Sequence, residues 1–180
     1  GYFHHANDYF TKRLPLTATG SIDVCLNAFT DLWDGDGPVS NASCPQWQTA
    51  YEEELFVNRS RQIIGAHPPA LPLFLMHAFH LMHTPLQVPA SWLQRYAWIL
   101  DGSEQAKQRQ HYSAMLGYLD SAVGALLDAM RGARLWERAL VVFISDNGGP
   151  IYSPAGANNW PLYGGKYSDW EGGVRTPPLV

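Results

Sequence analysis

Residues 139–149 read ALVVFISDNGG, six apolar residues followed at once by a serine, an aspartate, an asparagine and two glycines. A short, continuous apolar run bounded by turn residues is typical of a buried strand in a parallel sheet. The chain has a second run of this kind at 71–79. Between the two, apolar residues recur at helical spacing over 108–130, and Gly132 follows as a stop signal. Strand, long helix and strand predict a βαβ crossover, and therefore an α/β fold.

A second helix is predicted before the first apolar run. The pattern Thr49-x-x-Glu52 has the spacing of a capping box, in which the two side chains satisfy backbone N–H groups at a helix start. The helix is predicted to run to about Ile64, because Gly65 and a pair of prolines follow.

The remaining segments are predicted to be loops. Residues 1–48 contain many turn formers, above all in 34–38, and show little periodicity. Residues 83–89 contain two prolines, which deny a regular hydrogen-bond pattern. Residues 146–173 are rich in glycine, asparagine and tryptophan, and a further strand is predicted from Val174.

The composition excludes several classes of protein. With 180 residues, 46% of them hydrophobic, the chain can bury a core, so disorder is not expected. The net charge is −4 and the 12 basic residues are dispersed, so we expect no binding of nucleic acid. The longest apolar stretch, 71–82, is interrupted by two histidines and is too short to span a bilayer.

The domain organisation is that of one incomplete unit. No internal repeat or linker is visible. The chain opens on Gly1 and closes on Val180, inside a predicted strand. We therefore expect residues 1–180 to be part of a single domain that is truncated at both ends.

Cysteines and glycosylation motifs together favour the secretory pathway. Cys25 and Cys44 lie in one irregular region, and sequons begin at Asn41 and Asn58. This combination is typical of a lysosomal or secreted protein with a Cys25–Cys44 disulfide. The alternative is a cytosolic protein with two unpaired thiols and unused sequons.

Chemically useful side chains follow both predicted strands, which is where open α/β sheets bind ligands. Asp146 and Asn147 offer oxygens that suit Ca²⁺ or Mg²⁺, although the sequence Asp-Asn-Gly-Gly at 146–149 is also typical of a turn. His83 lies where the first apolar run ends, and Lys166 lies in a glycine-rich loop that can bring an ammonium to an anion. Read singly, a packed histidine and a solvated lysine are the more ordinary interpretations. No nucleophile stands out beside a base, so these residues predict a cation and oxyanion site without choosing a reaction.

Several motifs in register resemble those of the sulfatase family, most closely its arylsulfatase B-like subgroup. They are AFHLMHTPLQVP at 78–89, DNGG at 146–149, NNWPL at 158–162, Lys166 and WEGGVR at 170–175, with weaker likeness at 7–10 and 112–120. The resemblance implies the alkaline phosphatase-like fold, an α/β sandwich with a large mixed sheet, which would be incomplete in this chain.

The resemblance also implies a role for each candidate residue. Family members bind one Ca²⁺ through two acidic residues near the N-terminus and an Asp-Asn pair, which corresponds to Asp146 and Asn147. His83 matches the histidine that contacts the sulfate ester and helps to protonate the leaving oxygen. Lys166 matches the lysine that contacts the sulfate. The nucleophile is a formylglycine made from a cysteine, and its hydrate attacks sulfur to form a sulfated enzyme intermediate.

The chain departs from the family pattern at its start. The Cys-x-Pro-Ser-Arg motif that becomes formylglycine is absent, as is the N-terminal acidic pair, and Cys44-Pro45 is not followed by Ser-Arg. Truncation upstream of Gly1 explains both, so we expect this chain to be inactive by itself. Tyr163 stands where an arginine is common, which bears on substrate preference.

The resemblance implies a sulfate ester substrate, with the amino sugars of glycosaminoglycans as one candidate. Two alternatives remain open at this point. A phosphoesterase of the same superfamily would use two metal ions with several histidine ligands, whereas here the Asp-Asn-Gly-Gly loop is followed by Lys166. A non-catalytic homologue would bind sulfated glycans without turning them over, and only the upstream sequence separates it from the enzyme.

Overall fold

The computed structural model describes residues 8–12, 31–40, 44–152, 156–176 and 179. The elements in chain order are β1 (Trp33–Asp34), β2 (Gly37–Pro38), α1 (Glu52–Ala66), α2 (Ala90–Gln94), α3 (Glu104–Gly132) and α4 (Glu171–Val174), with 3₁₀ turns at Ala97–Ile99 and Trp136–Arg138. Both α1 and α2 pack against α3. No helix in the described part of the chain is both long and apolar enough to cross a membrane.

The long helix α3 confirms the prediction for 108–130 and extends it at both ends. It begins after Ser103, whose hydroxyl accepts a hydrogen bond from the backbone N–H of Ala106 at 3.1 Å. This is an ordinary N-cap, and the polar first turn hides it from a search for apolar periodicity. Ala114 and Met115 on its inner face are completely buried.

Helix α1 is confirmed, but it begins two residues later than the Thr49 capping box predicts, and the capping box is wrong. Its N-cap is Tyr51, which makes no side-chain cap, and the Thr49 hydroxyl donates to the carbonyl of Gln46 instead. Glu52 is fully buried and lies 3.0 Å from His80 Nδ1, so its carboxylate is not available to the helix start. The helix continues through Gly65 to Ala66.

The core lies between α1, α3 and the loop that follows the first apolar run. Its buried members are Tyr9, Tyr51, Leu81, Val88, Ala114, Met115 and Leu119. The rings of Tyr9 and Tyr51 stack with their centroids 5.5 Å apart, and Tyr118 meets Tyr51 edge-on at 5.0 Å. Aromatic packing thus joins residue 9 to the helices that follow it.

The prediction of two buried parallel strands is wrong for the described residues. The only sheet among them is the antiparallel pair β1–β2, and residues 139–144 contribute a single antiparallel bridge, Phe143 to Leu179. Phe74 is 92% exposed and Leu140 is 79% exposed. An apolar strand is buried only when neighbouring strands and covering layers surround it. The described residues supply almost none of these neighbours, so the expected large mixed sheet is not seen.

Other predictions meet the described residues only in part. The turn expected at 34–38 is confirmed by the β1–β2 hairpin, in which Gly35 has a φ of +64°. Cys25 and the sequon at Asn41 lie outside the described residues. Cys44 is a free thiol in the described part of the structure, so the predicted Cys25–Cys44 disulfide is not seen. Asn58, the asparagine of the second sequon, is exposed on α1.

Candidate functional site

The structure brings His83 and Lys166 into direct contact across 83 residues of sequence. The Nζ of Lys166 lies 3.1 Å from His83 Nε2, and His83 Nδ1 lies 2.8 Å from the carbonyl oxygen of Thr84. A carbonyl can only accept, so Nδ1 carries a proton and Nε2 accepts from the lysine ammonium. The histidine is therefore neutral here, with its Nε2 lone pair occupied by Lys166.

The loop that carries His83 is held by Tyr9. The Tyr9 hydroxyl lies 2.9 Å from the carbonyl oxygen of His80 and 3.1 Å from that of His83, so its proton is shared between them. The His83 N–H donates to the His80 carbonyl at 3.0 Å and closes the turn. The Tyr9 ring also stacks on His80, with 4.3 Å between ring centroids. The backbone N–H of Tyr9 donates to Gln87 Oε1, which joins the segment to the far end of the loop.

Buried ionisable groups lie beneath this turn. Glu53 Oε1 accepts hydrogen bonds from the N–H groups of His80, at 2.6 Å, and Leu81, at 3.1 Å. Glu52 and Glu53 both have 0% exposure. Burial raises the pKa of Glu53 to about 8. The buried Lys12 ammonium donates to the carbonyl of Ala50, and burial lowers its pKa although Glu52 acts in the opposite direction.

The Asp-Asn-Gly-Gly loop is fixed through its glycines. The N–H of Gly148 donates to the carbonyl of Gly173 at 2.9 Å. A Cβ atom on Gly148 would lie only 1.7 Å from the carbonyl oxygen of Gly172, so no other residue fits. This close approach leaves Asp146 exposed and Asn147 half-buried at the end of the second apolar run.

Asn159 ties that loop to Lys166. Its Oδ1 accepts from the Gly149 N–H at 2.9 Å, and its Nδ2 donates to the carbonyls of Gly149 at 2.8 Å and Gly164 at 3.1 Å. The Lys166 N–H donates to the same Gly149 carbonyl at 3.1 Å. Gly149, two residues after Asn147, and the predicted anion-binding lysine thus belong to one hydrogen-bonded unit. Sequence reasoning missed the role of Asn159, although an asparagine among glycine-rich loops often replaces backbone hydrogen bonds.

Asp146 and Asn147 are the residues that could hold a cation. A carboxylate and an amide oxygen are the ligands that Ca²⁺ takes, so the donor chemistry fits. Among the described residues, no group of three or more His, Cys, Asp or Glu comes together as a metal site. Since Ca²⁺ takes about six to eight oxygens, most ligands would have to come from other residues or from water.

Exposed aromatic rings lie on the segment of chain that carries Lys166. Its Nζ lies 5.5 Å from the centroid of the Tyr167 ring. Tyr163, which is 80% exposed, meets Trp170 at 6.3 Å between centroids, and the exposed Trp160 lines the same shallow cleft as Tyr163. The Lys166 ammonium therefore lies beside one exposed aromatic face, that of Tyr167.

Comparisons with known proteins give a consistent result. The family model described as Sulfatase matches residues 4–180. Arylsulfatase J of Mus musculus is 34% identical over 150 residues, which is 83% of this chain and 23% of that protein. Arylsulfatase A of Homo sapiens is 30% identical over 137 residues, 76% of this chain and 25% of that protein. The chain therefore spans about a quarter of the length of these relatives.

A solved structure is similar in three dimensions as well. The crystal structure of Ps i-CgsB superposes with a TM-score of 0.70 at 28% identity, covering 89% of this chain and 33% of that one. The same protein in complex with k-i-k-neocarrahexaose gives a TM-score of 0.63 at 32% identity, covering 72% of this chain and 28% of that one.

Proposed function

Because the chain belongs to the sulfatase family, we propose that the whole protein hydrolyses sulfate esters and that residues 1–180 are part of its single catalytic domain. The observation that carries the proposal is the 3.1 Å contact between Lys166 and His83, held beside the Asp146–Asn147 loop. The contact places a lysine ammonium and an ionisable imidazole side by side. The ammonium can offset the negative charge of a sulfuryl group, and the imidazole can deliver a proton to the leaving oxygen.

The two side chains have different tasks in this proposal. The Lys166 ammonium offsets negative charge on the sulfuryl oxygens as it builds up in the transition state. His83 Nδ1 already donates to Thr84, so the ring can protonate a leaving oxygen only after Nε2 has taken up a proton from solvent water. That proton makes the ring cationic and repels the lysine ammonium towards the anion. The proton then passes to the leaving oxygen, and His83 returns to its neutral form.

Asp146 and Asn147 would hold the Ca²⁺ expected in this family, and the ion would offset charge on the sulfuryl oxygens. The formylglycine motif Cys-x-Pro-Ser-Arg is absent from these 180 residues. We therefore propose that the nucleophile and the two acidic Ca²⁺ ligands lie outside them, and that this chain is inactive by itself.

Sulfated sugars are the substrate class we propose. One relative, 30% identical over 111 residues, is N-acetylgalactosamine-6-sulfatase of Canis lupus familiaris. The exposed face of Tyr167 beside the lysine, and those of Trp160 and Tyr163 in the preceding loop, are suited to stacking on sugar rings. Sulfated amino sugars of glycosaminoglycans fit both observations. The exposed sequon residue Asn58 is consistent with a lysosomal or secreted glycoprotein.

Turnover by the full-length protein tests this assignment. With 4-nitrophenyl sulfate, Lys166→Ala, His83→Asn and Asn147→Ala should each lower kcat/KM by on the order of a hundredfold, since each removes a contact made in the transition state. Lys107→Ala is a matched control, because that lysine is exposed on α3 and pairs only with Glu104 nearby.

The outcomes separate the candidate functions. Unchanged turnover in the site variants would show that the residue roles are wrong. Faster hydrolysis of 4-nitrophenyl phosphate than of the sulfate would favour a phosphoesterase. Tight binding of a sulfated glycan with no hydrolysis, together with an upstream sequence that lacks Cys-x-Pro-Ser-Arg, would favour the non-catalytic homologue.

A further inference from the structure

We propose that Glu53 is a positioning residue for His83: its carboxyl group clamps the backbone of the turn from which the His83 ring projects. The inference rests on the proposed function for the role of His83 in the reaction. The clamp itself rests on the geometry of α1 and the turn at 80–83.

The clamp consists of two hydrogen bonds to one oxygen. Glu53 Oε1 accepts from the N–H of His80 at 2.6 Å and from the N–H of Leu81 at 3.1 Å, across 27 and 28 residues of sequence. The carbonyl of His80 in turn accepts from the His83 N–H at 3.0 Å. The same turn is held from its other side by the Tyr9 hydroxyl. The backbone of this short segment is therefore held by Glu53 on one side and by Tyr9 on the other.

Burial makes a simple packing role a poor explanation for Glu53. Glutamate is almost never fully buried, because its charged form loses its hydration there. Glu53 has 0% exposure, and its Oε2 has no hydrogen-bond partner among the described residues. A leucine or methionine would fill the same volume without that cost. What they lack is an acceptor for two buried N–H groups.

The carboxyl acts as a neutral acceptor under ordinary conditions. Burial, reinforced by the neighbouring Glu52, raises the pKa of Glu53 to about 8, so most molecules are protonated at neutral pH. A protonated carboxyl keeps one carbonyl-type oxygen, which is the kind of acceptor that Oε1 provides here. Glutamine has the same shape and the same oxygen, so it should replace Glu53 with little loss.

The clamp controls the distance between two separately held groups. Lys166 is fixed by Gly149 and Asn159, while His83 is fixed by the turn and by its Nδ1 contact with Thr84. A small rotation of the 80–83 backbone would move Nε2 relative to Lys166 and to the leaving oxygen. A displacement of about 1 Å at a reacting group can cost about a hundredfold in rate.

The kinetic test uses the full-length protein with substitutions that keep the size of the side chain. Glu53→Met should lower kcat for 4-nitrophenyl sulfate by roughly 30- to 100-fold with less than a threefold change in KM, whereas Glu53→Gln should stay within about threefold of the native kcat. Glu54→Met is the control, since Glu54 is the exposed neighbour on the same helix. In a His83→Asn background, Glu53→Met should cost less than about threefold further, because the two residues act through one group.

If Glu53→Met does not fold, Glu53→Asp gives the same comparison. It keeps the carboxyl group but is one methylene shorter, so it cannot reach both N–H groups, and we expect a loss of about tenfold in kcat. Equal losses in the Gln and Met variants, or additive losses with His83→Asn, would overturn the proposal and leave Glu53 as a purely structural residue.

A second measurement does not depend on turnover. In ¹⁵N-histidine-labelled full-length protein, assigned with His83→Asn, the His83 ring should show the tautomer protonated at Nδ1 in the native form and in Glu53→Gln. In Glu53→Met that signature should be lost or averaged. If it persists in folded Glu53→Met, the clamp is wrong. If it is lost but native protein hydrolyses no sulfate ester, the clamp stands and the proposed function fails.

Discussion

Replacing Asn159 with alanine should loosen the link between the Asp-Asn-Gly-Gly loop and Lys166. The substitution removes three hydrogen bonds of 2.9, 2.8 and 3.1 Å, to the N–H and carbonyl of Gly149 and to the carbonyl of Gly164. A net hydrogen bond contributes about 1 kcal/mol, so the three together contribute about 3 kcal/mol. The Gly149 carbonyl keeps the Lys166 N–H as a donor, which places the result nearer the lower end of a range of about 2 to 4 kcal/mol.

Amide hydrogen exchange of the full-length protein reports this local free energy directly. A loss of about 2 kcal/mol corresponds to exchange about thirtyfold faster. The increase should appear in peptides that contain Gly149 and Lys166, whose N–H groups belong to the broken unit. Turnover of 4-nitrophenyl sulfate should fall in the same variant, because Lys166 is less well held.

Asn158→Ala is the matched control. Its side chain accepts one exposed hydrogen bond, from the N–H of Trp160 at 3.0 Å. Exposed single bonds contribute little, so exchange near Lys166 should rise by less than about fivefold. Equal exchange in the two variants, or no increase in Asn159→Ala, would refute the view that Asn159 joins the two loops.

Three further predictions follow from single features of the structure. Gly148→Ala places a Cβ atom 1.7 Å from the carbonyl oxygen of Gly172 and should lower kcat by at least about a hundredfold. Gly124→Ala on α3 is the control: its Cβ atom would have nothing within 4 Å, and it should raise the thermal midpoint of unfolding slightly. The pKa of Glu53 is raised from 4.5 to about 8 in the folded protein, so between these pH values the folded protein holds a proton that the unfolded chain releases. The free energy of unfolding should therefore fall by up to about 1.4 kcal/mol per pH unit between pH 4.5 and about 8 and level off at higher pH. Glu53→Gln should remove that slope in denaturation curves measured across this pH range. If Asp146 is a Ca²⁺ ligand, Asp146→Asn should raise the Ca²⁺ concentration for half-maximal turnover by on the order of ten- to a hundredfold, and a chelator titration that leaves both proteins equal would contradict this.

Local patterns predicted the two long helices, α1 and α3, but not the short helices α2 and α4, and they predicted the strands poorly; Val174, the expected start of a strand, is the last residue of α4. The apolar periodicity of 108–130 is a property of the segment itself, and α3 follows it. The runs at 71–79 and 139–144 indicate burial between neighbouring strands, which depends on other parts of a protein. The sulfatase fold is supported by the family match and by the similarity to Ps i-CgsB, while the large mixed sheet lies beyond what the described residues contain.

Only those site residues that lie in or beside a family motif could be predicted from the sequence. His83 and Lys166 were each ordinary when read singly, and the register of five motifs predicted that they serve one site. Glu53 was missed, and Asn159 was noticed only as part of the NNWPL motif without a role, because the partners of both side chains are backbone groups. Glu52 was misread, since a glutamate three residues after a threonine looks the same whether it caps a helix or is buried against His80.

The hydroxyl of Tyr9 makes the His83 turn dependent on a distant part of the chain. It reaches the carbonyl of His80 across 71 residues, and the contact between His83 and Lys166 spans a further 83. Each closure loses chain entropy before any contact compensates for it, so such contacts form late in folding. In a partly folded molecule, these long-range contacts are therefore absent, and the side chains of the site are not held in the arrangement that the reaction needs. In refolding experiments, catalytic activity should therefore return in the slowest phase, well after the helical signal of α3 has recovered.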